Sequence, residues 1–523
     1  MLWTGDAMYE KRNLKFILLA VILTALCLFS LHQLHLEHKP PAAVSCLNVP
    51  VVSSEDAIGG RKLRQTDYYN QLFFEGERVG LDRNTNTIYL SQKIDAHTTL
   101  RDLQGRLELQ NRFCSLVFPE DPMFDDLDTA VRDGHVFSLL ILQPFSGYSE
   151  YQVVFTTLPV IRMDGDYSHT KDGGRKVNLG DFCVWNAGAP DSSDYSTKST
   201  RTYWNIRGGL TTDFDKKSWR LSLVDEKKKK NSVSFFGLDA DDDWVLNALV
   251  MDDTKLRDRF CMNLWNELAD DTDHNFRMSD GGYAELVLNG EYAGLYLLQR
   301  RIDDKYLQLD TATDILMKGR PDWQAQKTGT AYEVQSSPLS EADSCLEIEN
   351  AISGQGNCVN LPNFIDLNLM LQFTYAIDNC NAKNMFYVLQ PQDGHYLLSW
   401  VPWDMDLTFG NRTVGTPAKN HDNAVNAMIS RRETTQLAQY IPDLDVRMSV
   451  RWQELRSGIY SEENLIQHLQ QLQDTLSASG ALQRDQVRWG LLHDSGDTPE
   501  QMLRFMTERL TFLDNHYSDT LSG

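Results

Sequence analysis

The chain lacks the cysteine pattern of a zinc-bound fold. Its 523 residues hold eight cysteines with no CxxC pair and no Cys/His cluster at zinc spacing, so a structural metal site is not expected. Cys27 sits in an apolar run, and the seven cysteines outside it are an odd number that leaves at least one thiol free. If the body is exported, Cys345 and Cys358, which flank a Gly- and Asn-containing loop, are the easiest pair to bridge. The chain also lacks a surplus of positive charge. Against 73 acidic residues stand 50 Lys and Arg, a net charge of −23, which argues against nucleic acid as the main partner because phosphate binding needs a basic face. The one basic run, Lys227 to Lys230, lies between two expected strands and reads as a solvated turn. An acidic protein that binds nucleotide does so through magnesium and a few placed cations.

Long apolar runs are lacking too, apart from Phe16 to Leu31, which follows Lys11, Arg12 and Lys15. This run reads as a signal anchor. It falls short of the roughly 20 residues of a full span, so a cleaved signal peptide stays open, with Ala43-Val44-Ser45 as a poorly placed cleavage site. Leu26 beside Cys27 argues against a lipoprotein. The basic flank predicts a single-pass membrane protein whose body, after about residue 32, is extracytoplasmic. With 41% hydrophobic and 24% charged residues, the rest has an ordinary globular composition, long enough for two or three packed units.

Residues 32–64 mix His, Pro, Ala, Ser and Gly without periodicity and read as a linker. Residues 65–157 carry short apolar stretches (Thr87 to Leu90, Val136 to Leu142, Tyr151 to Leu158) and predict a small β-domain, either a spacer or a binding module. A second unit begins near Leu158 and passes through a Gly/Ser/Asp-rich insertion to Trp204–Val224. There Trp219, Leu221 and Leu223 alternate with Arg220 and Ser222 as in a half-buried strand. Leu256, Phe260, Leu264 and Leu268 share one face of a helix predicted over Thr254 to Leu268. Tyr283 to Leu298 is a hairpin, with Asn289-Gly290 supplying the dihedrals of a type I′ turn. Helices are predicted over Leu361 to Tyr375, Ser461 to Leu476 and Thr498 to Leu513, the last opening on a capping box with Pro499 at its first position. A β-rich half thus precedes a helical half, an α+β, two-lobe order.

Two acidic strings stand out within this frame: YAIDNCNAKN (Tyr375 to Asn384) and PWDMDLTFG (Pro402 to Gly410). Between them Met385 to Gln390 and His395 to Val401 alternate around Gln392-Asp393-Gly394, a hairpin that would bring both strings into one cleft. In protein kinases an Asp takes the acceptor proton, an Asn five residues on holds one magnesium, and an Asp beyond a hairpin holds the other. Asp378, Asn384 and Asp404 follow that order.

With four blocks in sequence, IRGGLTTDFDKKSWRL, WVLNALVMDDTKLRDRFCMNLW, YAELVLNGEYAGLYLL and the pair YAIDNCNAKNMFYV with PWDMDLTFG, the chain resembles the CotH family. These are spore-coat-protein-H-like atypical kinases, and the resemblance covers about residues 158 to 515. It implies a two-lobe kinase-like domain over residues 158–523, with an N-lobe to about 305 and a C-lobe from about 306. It also implies ATP and magnesium as ligands, and phosphoryl transfer to Ser or Thr of a surface or spore-coat protein rich in those residues. By position it makes Asp378 the acidic residue that orients and deprotonates the acceptor. Asn384 and Asp404 become metal ligands, and Asp406 a further ligand or a partner of one. Arg207, Lys217 and Arg220 become the cations for phosphate.

The chain departs from the family pattern in several places. Arg207-Gly208-Gly209-Leu210-Thr211 lacks the usual Asn-Ser, although its glycines would let backbone amides approach a phosphate. Asp378 stands six residues before Asn384, not five, and Cys380 occupies a position where the family often has Asp. Gln299-Arg300-Arg301 replaces the common Thr-Glu region on the adenine side. Simpler readings also stand: Asp378 as a cap on a helix end, Lys216 in the role of Lys217 or both lysines as surface charges, Glu285 as a structural carboxylate, and Trp244, Trp265 and Trp403 as core. The alternatives to a kinase are a catalytically inactive surface or spore-coat scaffold, and a cell-wall-binding β-domain positioned by the rest.

Overall fold

Alternation shapes the middle of the chain. In Ser218–Val224, Trp219, Leu221 and Leu223 are buried while Arg220 and Ser222 are partly exposed, as a strand with one apolar face requires. It pairs on both sides, and seven strands close into a barrel. Their order is Val160–Gly165, Asn178–Asn186, Ser196–Arg207, Ser218–Val224, Asp243–Asn247, Glu291–Arg300 and Gly281–Leu288, and a parallel pairing back to Val160–Gly165 closes the ring. Rings of Phe182, Trp204, Trp219, Phe235 and Trp244 fill the interior. The predicted hairpin is part of this wall, with Asn289 at φ 51° and Gly290 at φ 76°, both positive as a type I′ turn demands. Lys227 to Lys230 are exposed on a turn whose Lys227 and Lys229 amides donate to the Asp225 carboxylate.

The computed structural model describes residues 47–120, 126–165, 178–187, 196–353, 358–380, 382–411, 425–492 and 497–522. The apolar run Phe16 to Leu31, the candidate cleavage site Ala43-Val44-Ser45 and most of the Gly/Ser/Asp-rich insertion lie outside these residues. Among the described residues, no helix is long and apolar enough to cross a membrane.

Before the barrel, strands Val51–Val52, Ser115–Pro119, Phe137–Gln143, Gly147–Thr156, Thr87–Ser91 and Gly80–Asp82 form one sheet, with Lys62–Leu63 also pairing onto Gly147–Thr156. From residue 47 on, the stretch expected as linker is therefore built into the fold. Leu47, Val49 and Val51 alternate and are all buried, a short period-2 signal inside a Pro- and Ser-containing stretch. The sheet also does not stand apart as a spacer. It shares a core with Val160, Trp185, Val287 and Tyr292 of the barrel, the Tyr89 and Tyr292 rings stack at 4.4 Å, and Trp185 Nε1 donates at 3.1 Å to the carbonyl of Phe74, in a three-stranded sheet of the same N-terminal region.

After the barrel, a four-stranded sheet (Tyr332–Ser336, Ile315–Gly319, Met385–Gln392, His395–Pro402) packs among helices. The helix Arg257–Asp271 buries Phe260, Leu264 and Leu268, the face its spacing predicts. Leu361–Thr374 ends on Tyr375 at φ 51°, Glu462–Ser479 is capped by Ser461, and Pro499–Ser522 starts where Gln501 N donates to Thr498 Oγ1. The architecture is mixed α/β. Cys345 and Cys358 are both free thiols and not the bridge expected of them; Cys345 sits 3.1 Å from Thr330 Oγ1.

A short helix near the C-terminus, Ala481–Trp489, clamps the barrel. Arg484 grips the buried Glu285 carboxylate at 2.9 and 2.7 Å, which makes Glu285 a structural group. Asp485 Oδ1 accepts from Leu295 N at 2.9 Å and from Lys216 Nζ at 2.6 Å. Gly294 permits this approach: it sits at φ 96°, and a Cβ there would lie 2.2 Å from Asp485 Oδ1. Burial pushes the Lys216 ammonium down to about 7 even though Asp485 opposes the shift.

Asp485→Ala should strip a buried cation of its partner and cost about 3–5 kcal/mol in urea denaturation. The folded-state value of Lys216 lies below the ordinary lysine value, so the unfolded chain holds more proton from about pH 7 upward. The defect should therefore be largest near pH 6 and shrink as pH rises towards 9. A loss that does not vary with pH would show that Lys216 stays fully charged.

Candidate active site

The hairpin Met385–Gln392/His395–Pro402 turns at Asp393 and Gly394, both at positive φ, and delivers the two acidic strings to one place. Trp403 N donates to the Asn384 carbonyl at 3.0 Å, and the Asn379 amide donates to the Asn384 and Trp403 carbonyls at 3.1 and 2.9 Å. Asn379 is thus the rivet between the strings, a role in neither sequence argument. Beyond it the second string alternates: Trp403, Met405 and Leu407 are buried, while Asp404 and Asp406 are partly exposed. Asp404 adopts φ 62°, a left-handed conformation that a non-glycine residue seldom takes and that gathers at functional sites.

Helix Arg257–Asp271 supplies a third carboxylate. Asp258 Oδ1 accepts from Met405 N at 3.0 Å and its Oδ2 from Asn247 Nδ2 at 3.2 Å. Burial, then the charge of Asp404, pushes Asp258 up to about 7. Burial, then Asp404 and Asp258, likewise raises Asp406 well above the ordinary carboxylate range. Like charges crowded in this way favour a cation. Among the described residues, however, no three His, Cys, Asp or Glu side chains already converge as a metal cage.

Asp378 lies in the short turn Ile377–Asn379 after helix Leu361–Thr374. Its carboxylate takes Lys383 Nζ, at 2.7 Å on Oδ1, and Asn384 Nδ2 at 2.8 Å on Oδ2. Asn384 is buried at φ 58°. The six-residue spacing is accommodated because the Asn384 side chain reaches back to Asp378 directly. Cys380 is buried, its thiol lies 3.6 Å from the Ala376 carbonyl, and burial pushes it up to about 11.

Two cations face the acidic string across aromatic rings. Arg207 lies over Trp403 at 5.3 Å and Lys318 over Phe386 at 5.4 Å, and the two rings meet edge to face at 6.2 Å. Burial, then the Arg207 charge, pushes Lys318 down to about 8, with Asp404 pulling the other way. Lys318 was not among the residues expected from sequence. It sits in the apolar strand Ile315–Gly319, where its single charge is the only signal.

The other expected cations are placed elsewhere. Lys217 Nζ donates to the Thr212 carbonyl at 2.9 Å and to the Phe214 carbonyl, bracing the turn that follows Gly208-Gly209. Arg220 lies 3.7 Å from Asp243 on the neighbouring strand. Lys216 belongs to the C-terminal clamp. Gly208, at φ 113° with Thr211 Oγ1 2.1 Å from where a Cβ would stand, is required by the turn itself. On the adenine side of the expected site, Arg301 donates to Gln335 at 3.1 Å.

A protein-family model described as CotH kinase protein matches residues 205–513, from the strand bearing Arg207 into the last helix. No curated protein matches the chain.

The raised Asp258 has a measurable sign. Its folded-state value lies above the ordinary carboxylate range, so its stabilising contribution is full below that range and is lost as pH rises through about 7. Asp258→Asn keeps an acceptor for Met405 N without the charge. In chelator at pH 8 it should unfold later than the parent by about 1–3 kcal/mol, with the difference shrinking as pH falls and gone near pH 3.5. A variant less stable at both pH values would refute the electrostatic account.

Proposed function

The chain belongs to the CotH kinase protein family, and on that premise we propose that it transfers the γ-phosphoryl group of ATP, with magnesium, to Ser or Thr hydroxyls of a Ser/Thr-rich surface protein. The observation that carries this reading is the pairing of Arg207 and Lys318, each backed by an aromatic ring, with the carboxylate string at Asp404. Asp404, Asp406 and Asn384 are the oxygen donors for magnesium, and the crowding that raises Asp258 and Asp406 suits a cation beside them. When bound, magnesium would neutralise charge on the β- and γ-phosphate oxygens.

Arg207 and Lys318 hold phosphate oxygens and stabilise the charge that spreads over the transferred group. Asp378 orients the acceptor hydroxyl and accepts its proton as the oxygen bonds to the γ-phosphorus and the bond to the β-phosphate oxygen breaks. Lys383 holds the Asp378 carboxylate in place. Lys217 and Arg220 take no part in phosphate binding on this reading, since turn carbonyls and Asp243 engage them. The run Phe16 to Leu31 after its basic flank supports a single-pass anchor with the body extracytoplasmic.

A second reading, a catalytically silent scaffold with the same fold, draws on the double engagement of Asp378 by Lys383 and Asn384, which leaves the acceptor to displace one of them. The purified chain should bind ATP only with magnesium, and Asp404→Ala should abolish that binding. Lys318→Met should weaken it by about tenfold or more while Lys217→Met leaves it within about twofold. Asp378→Asn should keep ATP binding but cut phosphate incorporation into a Ser/Thr-rich acceptor by about 100-fold or more. Unchanged binding in Asp404→Ala would sink the site. Binding without incorporation into any acceptor would favour the scaffold.

A further inference from the structure

One corner of the N-terminal sheet combines exposed apolar side chains with positive charge that no ion pair among the described residues engages. The loop between strands Phe137–Gln143 and Gly147–Thr156 holds Phe145 and Ser146 at φ 58° and 60°, in the left-handed region that favours glycine. Phe145 stands at its tip with 77% of its surface in water. Strand Lys62–Leu63 pairs beside this loop, with Lys62 N donating to the Ser146 carbonyl at 2.8 Å. There Leu63 is 57% exposed, and Ile58, at the end of helix Ser54–Ile58, is 38% exposed. A bulky ring held in an unfavourable backbone conformation and turned to solvent does nothing for the core.

The charge at this corner runs against that of the whole chain. Arg61, Lys62 and Arg64 interleave with Leu63 in a protein of net charge −23. The ion pairs of the described residues include none of these three; Arg61 reaches only the Gln143 carbonyl, at 3.3 Å. The nearby carboxylate of Asp56 is turned onto Ser53. Apolar side chains with a basic surround are the composition of a surface that seats at a lipid headgroup boundary.

Chain length brings the corner to such a surface. Fifteen residues separate Leu31, the end of the apolar run, from Leu47, which is buried in the sheet. Fully extended they reach about 50 Å, so the domain that carries the corner cannot leave the neighbourhood of a bilayer that holds the run. We infer that Ile58, Leu63 and Phe145, with the basic Arg61, Lys62 and Arg64 beside them in the chain, form a second membrane contact that seats on anionic lipid and fixes the orientation of the body. This contact is independent of the phosphoryl-transfer reading and rests on Phe16 to Leu31 being an anchor.

The full chain, inserted in nanodiscs of phosphatidylglycerol and phosphatidylcholine, should show amide exchange across 58–64 and 143–148 slowed by about fivefold or more relative to all-phosphatidylcholine nanodiscs. The K62E/R64E variant should lose that difference, and F145S should reduce it, with parental melting temperatures confirming that both fold. Equal exchange in the two lipids, or protection kept in K62E/R64E, overturns the inference. Protection in detergent that grows with protein concentration would assign the corner to a second copy of the chain and overturn it as well. Failure of the chain to elute with any nanodisc would defeat the anchor and the inference together, leaving ATP binding to be judged separately.

Discussion

Burial of the Arg257 guanidinium is the constraint on which the rest hangs. The side chain has no exposure, and stranding it without partners would cost several kcal/mol, so each of its contacts must form. They come from three parts of the chain: Asp252 at 2.6 Å, the Thr408 carbonyl at 3.0 Å, and, around the start of the last helix, Asp497 at 2.6 Å and Gln501 at 3.0 Å. One charge thus ties the helix Arg257–Asp271 to the end of the second acidic string and to the start of the last helix. The next residue, Asp258, then meets the Met405 amide, so the position of the string between Asp404 and Asp406 follows from the hub beneath it. Phe409 continues the anchorage, with its ring against Phe260 and Phe373.

Above this hub the site is held in an unfavourable electrostatic state. Asp258, Asp404 and Asp406 sense one another through a partly dry environment, and two of them are displaced far towards the protonated form. On the facing wall Arg207 and Lys318 rest on Trp403 and Phe386, whose ring faces support cations. An acid side that favours a cation and a basic side poised for an anion are what a metal–phosphate ligand would reconcile, and the cost of keeping both preformed is carried by the buried scaffold below.

Much of the fold was legible because its signals are local. Helix periodicity in Leu256, Phe260, Leu264 and Leu268, the Asn289-Gly290 turn, the Gln392-Asp393-Gly394 hairpin and the Thr498-Pro499 start each depend on residues a few positions apart, and each appears where expected. The stretch from Leu47 to Ile58 was less legible, because three alternating apolar residues among Pro and Ser are too short a run to outweigh the composition around them. At the candidate site, Asp378, Asn384 and Asp404 were singled out by order and spacing. Lys318 was not, because one lysine in an apolar strand has no spacing to betray it.

The sequence alone determined the kinds of elements, their order and the meeting of the two acidic strings, since periodicity, turn chemistry and a hairpin act over short range. The tertiary structure decided what each cation meets. Lys216, Lys217, Arg220 and Lys318 look alike as letters, yet Asp485 from 269 residues away claims the first, turn carbonyls the second, a neighbouring strand's Asp243 the third, and only the fourth is left facing Asp404. A charge goes to whichever partner the fold brings within about 3–4 Å, and that distance is set by packing between segments remote in sequence.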